Sequence, residues 1–326
     1  MLPISLNVPT TGLVSLCFAR HTRCYSSRPS ETVAVPVNAH KPRKKVTIRT
    51  LQQLHTSQTP ISVVTAYDYP SARFLEQAGI DVCLVGDSLA MVACGYTSTT
   101  EIGMDEMLYH CKSVARGAKT PLLVADMPFG SHQPSLEFGI ANAVRMIREG
   151  GMDAVKIEGG EDVVPIVTKL VDIGIPVMAH IGLMPQRQSA LSGYRVQGKT
   201  AESALRMTRE ALALQRAGAF SVVLEAVPAL VASSITSDLS IPTIGIGASA
   251  ACSGQVLVQA DMLGMTDRIP RFCKAYAHLS EIVPAAIAQY AAEVKNRSFP
   301  DESRNTYEMP ELEWKRFLDI RHQSQT

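Results

Sequence analysis

The sequence of 326 residues has little of what would assign it to a membrane or to a nucleic acid. No apolar run reaches the roughly 18 residues that a membrane-spanning helix requires. Basic and acidic residues nearly balance, which leaves a formal net charge of +1 and no overall attraction to polyanions. We therefore expect small-molecule substrates, with no nucleic acid and no membrane among the partners.

Cysteine pairs are also missing, although the chain has seven cysteines. None of them forms a Cys-x-x-Cys pair, and several lie inside apolar runs. An odd, scattered set of this kind is typical of reduced thiols in an intracellular protein and not of a disulfide framework. No cysteine lies beside an obvious activating base, which argues against a thiol nucleophile.

Acidic residues are scarce in the first 45 residues, where Glu31 is the single acid. The same stretch is rich in serine and holds the basic residues Arg20, Arg23, Arg28, Lys41, Arg43, Lys44 and Lys45. Such a composition, with a short basic amphipathic segment over residues 13–23, is typical of a mitochondrial transit peptide. RCYSS at residues 23–27 resembles a processing site. We predict a transit peptide over residues 1–45 and a mitochondrial matrix location; a disordered basic tail is the alternative.

Strand-like and helix-like segments alternate after this leader. Apolar, β-branched runs lie at residues 61–68, 81–87, 121–128, 153–160, 175–182, 220–228 and 241–248, and we expect an eighth near residues 268–272. Helical spacing lies between them, for example over residues 136–147 and 163–171. Apolar strands joined by helices form a parallel sheet, and this number of units matches a (β/α)8 TIM barrel. We predict the barrel over residues 46–298; a doubly wound open sheet is the alternative.

The remaining tail, residues 299–326, is mostly polar. Within it, PELEWKRFLDI at residues 310–320 has amphipathic spacing. We predict a short terminal helix there that serves in packing or assembly.

Most of the strand-like runs end on a titratable side chain. The set comprises Asp68, Asp87, Asp126, Glu158, His180 and Glu225. In a TIM barrel the carboxyl ends of the strands converge on one mouth, where the active sites of this fold lie. Any single acid could instead be a helix N-cap or a surface ion, and Asp68, which precedes Pro70 and a helical stretch, fits the cap role well. Four further acids that directly follow apolar runs favour a shared site.

Lys156 adds to this pattern. It lies two residues before Glu158, so a strand directs both side chains to one face and Val155 and Ile157 to the other. Two charges on one face of a buried strand are costly unless they are paired or bind something charged. A structural ion pair is the alternative to a substrate site.

Clustered carboxylates, without a cysteine set or a His-x-x-x-His pair, favour a hard divalent cation such as Mg²⁺. Asp87 and Asp126 are the expected ligands, with Glu158 at or just behind the ion. A 2-oxo acid would present its carboxylate and keto oxygens to the ion, which would stabilise an enolate as a Lewis acid. We expect Lys156 to pair with substrate charge and Glu225 to remove a proton.

Three weaker signals remain. Ser88 either caps a helix or holds a substrate carboxylate. His180 is either a hydrogen-bonded structural residue or, because it lies at the mouth, a substrate contact. GIGASA at residues 245–250 matches a dinucleotide-binding pattern, but it lacks a convincing acidic partner, which favours close backbone packing or ligand approach instead.

At these residues the chain closely resembles the ketopantoate hydroxymethyltransferase family, from about residue 47 to residue 298. The resemblance rests on the ordered motifs TAYDYPSA, LVGDSLAMV, LLVADMPFG, VKIEGG, GYRVQGK, VLEAVP, and IGIGA followed by SGQVLV. It implies a barrel of the phosphoenolpyruvate-binding type. It also implies transfer of a one-carbon unit from 5,10-methylenetetrahydrofolate to 3-methyl-2-oxobutanoate, which gives 2-dehydropantoate on the route to pantothenate and coenzyme A.

The resemblance also implies roles for single residues. Asp87 and Asp126 resemble the family's magnesium site, with Glu158 as a third acid; Ser88 and Lys156 resemble its substrate contacts, and Glu225 its proton acceptor. It implies a large homo-oligomer, usually a decamer, and the leader suggests the eukaryotic, mitochondrial form.

The chain departs from the family pattern at Ala90, Ser249 and Ser253, where Gly, Gly and Asp are usual. None of these positions is an expected metal ligand, so the changes concern the loop after the seventh strand and the folate site.

Other functions compete with this interpretation. A carbon–carbon lyase or phosphomutase on a similar barrel would also hold a 2-oxo acid and Mg²⁺ through acids at the strand ends, but it would not need folate. A non-catalytic binding or assembly barrel would have no use for the acids and lysine at the mouth. A nicotinamide oxidoreductase based on GIGASA has the least support.

Overall fold

A computed structural model describes residues 43–190, 193, 195–266 and 269–325. The transit peptide predicted for residues 1–45 lies outside the described residues except for its last three. Of these, Arg43 pairs with Asp81 and Lys45 pairs with Asp153, at 3.4 and 2.6 Å. Lys45 also donates to the carbonyl of Pro121, so this end of the leader contacts the folded domain.

The described residues form eight strands that close into one parallel barrel. Each strand pairs with the next along the chain, and the eighth pairs with the first. The strands are β1 (Ile61–Thr65), β2 (Val82–Val85), β3 (Leu122–Asp126), β4 (Ala154–Glu158), β5 (Val177–Gly182), β6 (Ser221–Glu225), β7 (Thr243–Ile246) and β8 (Gly254–Leu257). The predicted TIM barrel and its first seven strands are confirmed.

The eighth strand was predicted at the wrong place. It occupies Gly254–Leu257, and residues 269–272 are not in a strand. β8 is short and begins with glycine, and Gln255 on its outer face is exposed, so it lacks the apolar run that marks the other strands. The residues between β7 and β8 form turns and contain no helix, so the strand–helix alternation is interrupted here.

Twelve α-helices occur among the described residues. They are α1 (Ile48–Thr56), α2 (Tyr69–Ala78), α3 (Leu89–Val92), α4 (Met104–Gly117), α5 (Leu136–Arg148), α6 (Val164–Asp172), α7 (Ala201–Arg216), α8 (Ala229–Asp238), α9 (Gln259–Met262), α10 (Leu279–Asn296), α11 (Glu302–Asn305) and α12 (Glu311–Gln323). The helices predicted over residues 136–147 and 163–171 are present as α5 and α6. Asp68 caps α2 as predicted, because its carboxylate accepts from the amide of Ser71. No described helix has both the length and the apolarity needed to cross a bilayer.

Apolar side chains pack in two layers, one on each side of the barrel wall. Val82 and Leu84 of β2 belong to the layer inside the barrel, and Cys83 and Val85 belong to the layer beneath the helices. This alternation is the two-residue period of a strand. It explains why the strands read as continuous apolar runs, since both faces are buried.

The C-terminal helices differ from those around the barrel in that none of their residues is buried. α10 and α12 have no buried residue. α10 exposes a stripe of apolar side chains at spacings of four, three and four residues, namely Val283, Ile287, Tyr290 and Val294. α12 lies where the sequence predicted a terminal helix, and it exposes Leu312, Trp314, Phe317 and Ile320.

Candidate active site

A cavity of about 460 Å³ opens at the carboxyl ends of the strands. The seven residues predicted for the site all line it: Asp87, Ser88, Asp126, Lys156, Glu158, His180 and Glu225. They come from the ends of five strands, β2 to β6, or from the residues that follow directly. The cavity therefore brings together side chains up to 138 residues apart in the sequence, from Asp87 to Glu225.

Strand alternation directs these side chains inward. On β4, Ala154 belongs to the interior layer and Val155 and Ile157 to the outer one, so Lys156 and Glu158 face the interior as the sequence predicted. Lys156 is only 5% exposed. Its ammonium lies 2.8 Å from Oδ1 of Asp126, the residue opposite it on β3. This ion pair offsets part of the cost of burying both charges.

His180 links two glutamates. Its Nδ1 lies 3.5 Å from Oε1 of Glu158, and its Nε2 lies 3.2 Å from Oε2 of Glu225. Burial and then the charge of Lys156 lower the pKa of His180, but the two glutamates outweigh them and raise its pKa to about 9. The ring of His180 therefore lies between the two carboxylates, and its Nδ1 is also 3.2 Å from Nζ of Lys156. His180 thus belongs to the charged network and is not an isolated structural histidine.

Gln186 is a site residue that the sequence interpretation missed. It lies in a short 3₁₀ turn, Pro185–Arg187, after β5 and is buried. Its Nε2 donates to Oδ2 of Asp87 at 2.9 Å and to the carbonyl of Met127 at 3.0 Å. Its backbone N–H donates to Oε2 of Glu158 at 3.1 Å. Gln186 therefore holds two of the predicted metal ligands in place.

The charge balance at the bottom of the cavity suits a bound cation. Burial, followed by the charges of Asp126 and Glu158, raises the pKa of Asp87 well above its ordinary value. Burial also raises the pKa of Glu158, but His180, Lys156 and the Gln186 amide outweigh it and lower the pKa overall. Asp87 thus lies in an excess of negative charge that Lys156 does not relieve, and a divalent cation would relieve it.

The donor set fits Mg²⁺ in kind, because Asp87 and Asp126 offer hard carboxylate oxygens. The described residues contain no group of three or more His, Cys, Asp or Glu side chains arranged to hold a metal ion. An ion bound here would therefore complete its shell with water and substrate oxygens, as Mg²⁺ commonly does. The carboxylate of Glu158 already contacts His180 and the backbone amide of Gln186, so it is less available to such an ion than those of Asp87 and Asp126.

Ser88 lies at the start of α3 and lines the cavity. Ser88 occupies the N-cap position of that helix, as one of the two alternatives had it, but its side chain makes no capping hydrogen bond. The residue is half-buried, next to Asp87 in the chain, and faces the cavity.

The backbone around Glu225 is held in an uncommon conformation. Ala226, the next residue, has φ of 48°, in the left-handed region that non-glycine residues rarely adopt. Its N–H donates to the carbonyl of Ile246, and its carbonyl accepts from Gln197. On the neighbouring strand, a Cβ at Gly182 would lie 2.3 Å from the carbonyl oxygen of Glu225. Gly182 and Ala226 thus allow Glu225 to sit close to β5, near His180.

GIGASA does not form a dinucleotide site of the usual kind. That site needs a helix whose N-terminus follows the glycines, whereas here turns and then β8 follow β7. Instead, a Cβ at Gly245 would approach the side chains of Gln255 and Cys252 to 3.0 and 3.2 Å. The glycines serve close packing, as the sequence favoured.

Comparisons with known proteins are consistent across most of the chain. The family model for ketopantoate hydroxymethyltransferase matches residues 45–302. A relative from Arabidopsis thaliana, "3-methyl-2-oxobutanoate hydroxymethyltransferase 1, mitochondrial", is 48% identical over 91% of this chain and 87% of its own length. The "3-methyl-2-oxobutanoate hydroxymethyltransferase" of Emericella nidulans is 47% identical over 95% of this chain and 91% of its own length. One from Carboxydothermus hydrogenoformans is 51% identical, over 82% and 98%.

Solved structures with a similar fold are more distant in sequence. A phosphonopyruvate hydrolase, in complex with oxalate and Mg²⁺, aligns with a TM-score of 0.53 at 12% identity over 85% of this chain and 96% of that chain. A phosphoenolpyruvate phosphomutase from Streptomyces platensis aligns with a TM-score of 0.52 at 16% identity, again over 85% and 96%. At such identity these likenesses establish the fold alone.

Proposed function

The chain belongs to the ketopantoate hydroxymethyltransferase family, and from this membership we propose that it transfers a hydroxymethyl group from 5,10-methylenetetrahydrofolate to 3-methyl-2-oxobutanoate. The products are 2-dehydropantoate and tetrahydrofolate, and a water molecule is consumed. The observation that carries the proposal is the cavity itself, where a partly exposed base, a buried cation and two carboxylates that suit Mg²⁺ meet at the carboxyl ends of the strands.

Glu225 is the proton acceptor in this proposal. Its carboxylate is 15% exposed to the cavity, more than the other acids, and His180 holds one of its oxygens at 3.2 Å. It takes the proton from C3 of the oxo acid, and the resulting carbanion is delocalised onto the keto oxygen as an enolate. C3 then forms its new bond to the methylene carbon of the folate as the bond from that carbon to one folate nitrogen breaks. Water supplies the hydroxyl group as the bond to the second nitrogen breaks, and the two nitrogens take up the proton held by Glu225 and the remaining proton of the water.

The remaining residues bind and orient the oxo acid. Lys156 and Ser88 offer donors to the substrate carboxylate and keto oxygen. Asp87 and Asp126 would hold Mg²⁺, with Glu158 and Gln186 behind them. When bound, Mg²⁺ supplies Lewis-acid stabilisation of the negative charge that develops on the keto oxygen.

Exchange of the C3 proton tests the enolate step without folate. In heavy water, the full-length protein with Mg²⁺ should remove the C3 proton signal of 3-methyl-2-oxobutanoate from the proton NMR spectrum, and a chelator should stop the loss. Glu225→Gln should slow exchange by about 10²- to 10⁴-fold while it still binds Mn²⁺ in a direct titration. Glu149→Gln, which alters an exposed glutamate paired with Arg145, is the matched control.

Two outcomes would count against the proposal. If no exchange occurs, methylenetetrahydrofolate is added and 2-dehydropantoate is sought; its absence then overturns the activity. If exchange occurs but folate yields no 2-dehydropantoate, the enolate site is real and the transferase activity is wrong, which would favour a lyase.

We also propose that the protein resides in the mitochondrial matrix. The composition of residues 1–45 supports this location, and the Arabidopsis and rice relatives carry "mitochondrial" in their names. Import of the full chain into isolated mitochondria, with loss of a segment of about this length, tests the proposal.

A homo-oligomer is the third part of the proposal, with a decamer expected from the family. The apolar stripe of α10 supports it, because Val283, Ile287, Tyr290 and Val294 all stay exposed in the described part of the chain, even though the ring of Tyr290 contacts that of Phe299. The outward side chain of β8, Gln255, is also exposed, and no helix lies between β7 and β8 in the described chain to cover the barrel's outer face there.

A further inference from the structure

Asp261 is a titratable residue of the cavity that the proposed reaction does not use. It lies on α9, after β8, and lines the same cavity as Glu225 and Lys156. Its Oδ1 accepts from the hydroxyl of Thr266 at 3.3 Å. Among the described residues, no hydrogen bond or ion pair joins its carboxylate to the Lys156 and His180 network.

Thr266 is the one side chain among the described residues that donates a hydrogen bond to the carboxylate of Asp261. Asp261 is half-buried, and burial raises its pKa in spite of the Thr266 hydrogen bond. No cation is paired with it in the described residues. A carboxylate that loses water without gaining donors costs free energy, and a ligand with two donors side by side would remove that cost.

Apart from Thr266, the cavity wall near Asp261 in the chain is largely apolar. Val258, Pro270 and Phe272 line the cavity near it in the chain, and Met91 and Val92 line it from α3. Phe272 and Met91 are about two-fifths exposed, at 40% and 39%, so they present apolar surface to whatever enters. Such a wall with a single carboxylate suits a flat heteroaromatic ring that has a polar edge.

The cavity is also larger than the oxo acid requires. The charged network occupies its base, and 3-methyl-2-oxobutanoate is too small to fill the volume of about 460 Å³. The remaining space, with Asp261 and the apolar wall, is available to the second substrate.

We infer that Asp261 binds the pterin ring of the folate. The 2-amino group and the N3–H of a pterin point the same way and can donate together to one carboxylate, as in other bidentate pairs. The ring then lies against the apolar wall and directs the methylene carbon toward the oxo acid. This inference rests on the proposed transferase function, because it assigns the folate end of the same cavity.

The first test compares Asp261→Asn with Thr266→Val. Asparagine keeps the size of the side chain and can still accept from Thr266, but it cannot accept both pterin donors without placing its own NH₂ against one of them. We expect the KM for methylenetetrahydrofolate and the Kd for tetrahydrofolate, measured by calorimetry, to rise about 10- to 100-fold in Asp261→Asn. The KM for the oxo acid should not change. Thr266→Val, which removes the internal hydrogen bond, should leave both folate constants near those of the wild type.

The second test removes the donor from the ligand. A folate analogue with a methyl group in place of the 2-amino group should bind the wild-type protein at least about 10-fold more weakly than tetrahydrofolate. Asp261→Asn should discriminate much less between the two. Equal discrimination by both proteins, or equal weakening by Thr266→Val, would overturn the inference and leave Asp261 with a role in loop geometry.

The two proposals fail in different ways. A wild-type protein that makes 2-dehydropantoate while Asp261→Asn retains normal folate constants refutes only the pterin site. A wild-type protein that makes no 2-dehydropantoate refutes the transferase activity. In that case the tetrahydrofolate Kd values of the wild type and Asp261→Asn still test whether Asp261 binds the pterin. A wild-type protein that binds no tetrahydrofolate also refutes the pterin site.

Discussion

At the scale of single residues, the site is dominated by the cost of buried negative charge. Asp87, Asp126 and Glu158 are each no more than 4% exposed, and Lys156 neutralises only one of them. Such a cluster persists only if hydrogen bonds and a further cation compensate it. Gln186 provides hydrogen bonds to two of these acids, so its contribution should be visible in metal affinity.

Gln186→Ala should weaken Mg²⁺ binding by about 10- to 100-fold, the usual effect of losing a residue that orients a metal ligand. The reason is that Oδ2 of Asp87 loses its 2.9 Å donor, whereas Glu158 keeps the backbone N–H of residue 186. Titration calorimetry with Mg²⁺ or Mn²⁺ measures the change directly. Gln188→Ala is the matched control, because Gln188 follows the same turn but donates to Ser98 and not to a site carboxylate. Equal metal affinity in the two variants would contradict the role given to Gln186.

Charged residues at the strand ends could be predicted from the sequence, whereas Gln186 could not. Asp87, Asp126, Glu158 and Glu225 each interrupt an apolar run, and that contrast is visible in the chain itself. Gln186 is a neutral residue in a loop, and its contact with Asp87 spans 99 residues. Only the closure of the barrel brings the two together. Asp261 was not predicted either, because it does not directly follow a strand-like run: it lies three residues after the short run Val256–Val258, on a four-residue helix.

At the scale of elements, the same contrast explains why seven strands were predicted correctly and the eighth was not. β1 to β7 are rich in Val, Ile and Leu because both of their faces are buried. β8 has the sequence GQVL, and its first position has no room for a side chain. A Cβ at Gly254 would lie 2.4 Å from the carbonyl oxygen of Ile61 on β1. Because this position must be glycine, β8 has a shorter apolar run than the other strands, and the sequence does not mark it as a strand.

Gly254→Ala should therefore destabilise the barrel where β8 closes on β1. We expect the free energy of unfolding to fall by about 3 kcal/mol, because the added methyl group meets the backbone and not a flexible side chain. This corresponds to a decrease of roughly 6–12 °C in Tm. Gly174→Ala is the control: Gly174 has φ of 90° but nothing within 4 Å of the added atom, so it should cost only about 1 kcal/mol of backbone strain. Thermal unfolding measures both variants. An equally small decrease in stability in both variants would mean that Gly254 does not lie at a tight contact between β8 and β1.

At the scale of the whole molecule, the barrel accounts for the core but not for the C-terminal helices. α10 has eighteen residues and buries none of them, although an exposed apolar helix gains little from folding alone. Its stripe repeats at spacings of four, three and four residues, the spacing that packs one helix against another. Burial against further copies of the chain would supply the missing stabilisation, which is why we place the interface of the proposed oligomer on α10.

Ile287→Lys tests this placement. Ile287 is 62% exposed in the single chain, so a lysine there should change the stability of one copy by less than about 0.5 kcal/mol. In an oligomer held by α10, the same lysine would be buried without a partner, and the assembly should dissociate. Leu205→Lys on α7 is the matched control, since Leu205 is 60% exposed on a helix that packs on the barrel. Sedimentation velocity should show a smaller particle for Ile287→Lys and an unchanged one for Leu205→Lys. If Ile287→Lys sediments like the wild type, α10 is not the interface, and if the wild type itself is a monomer, the proposed oligomer is wrong.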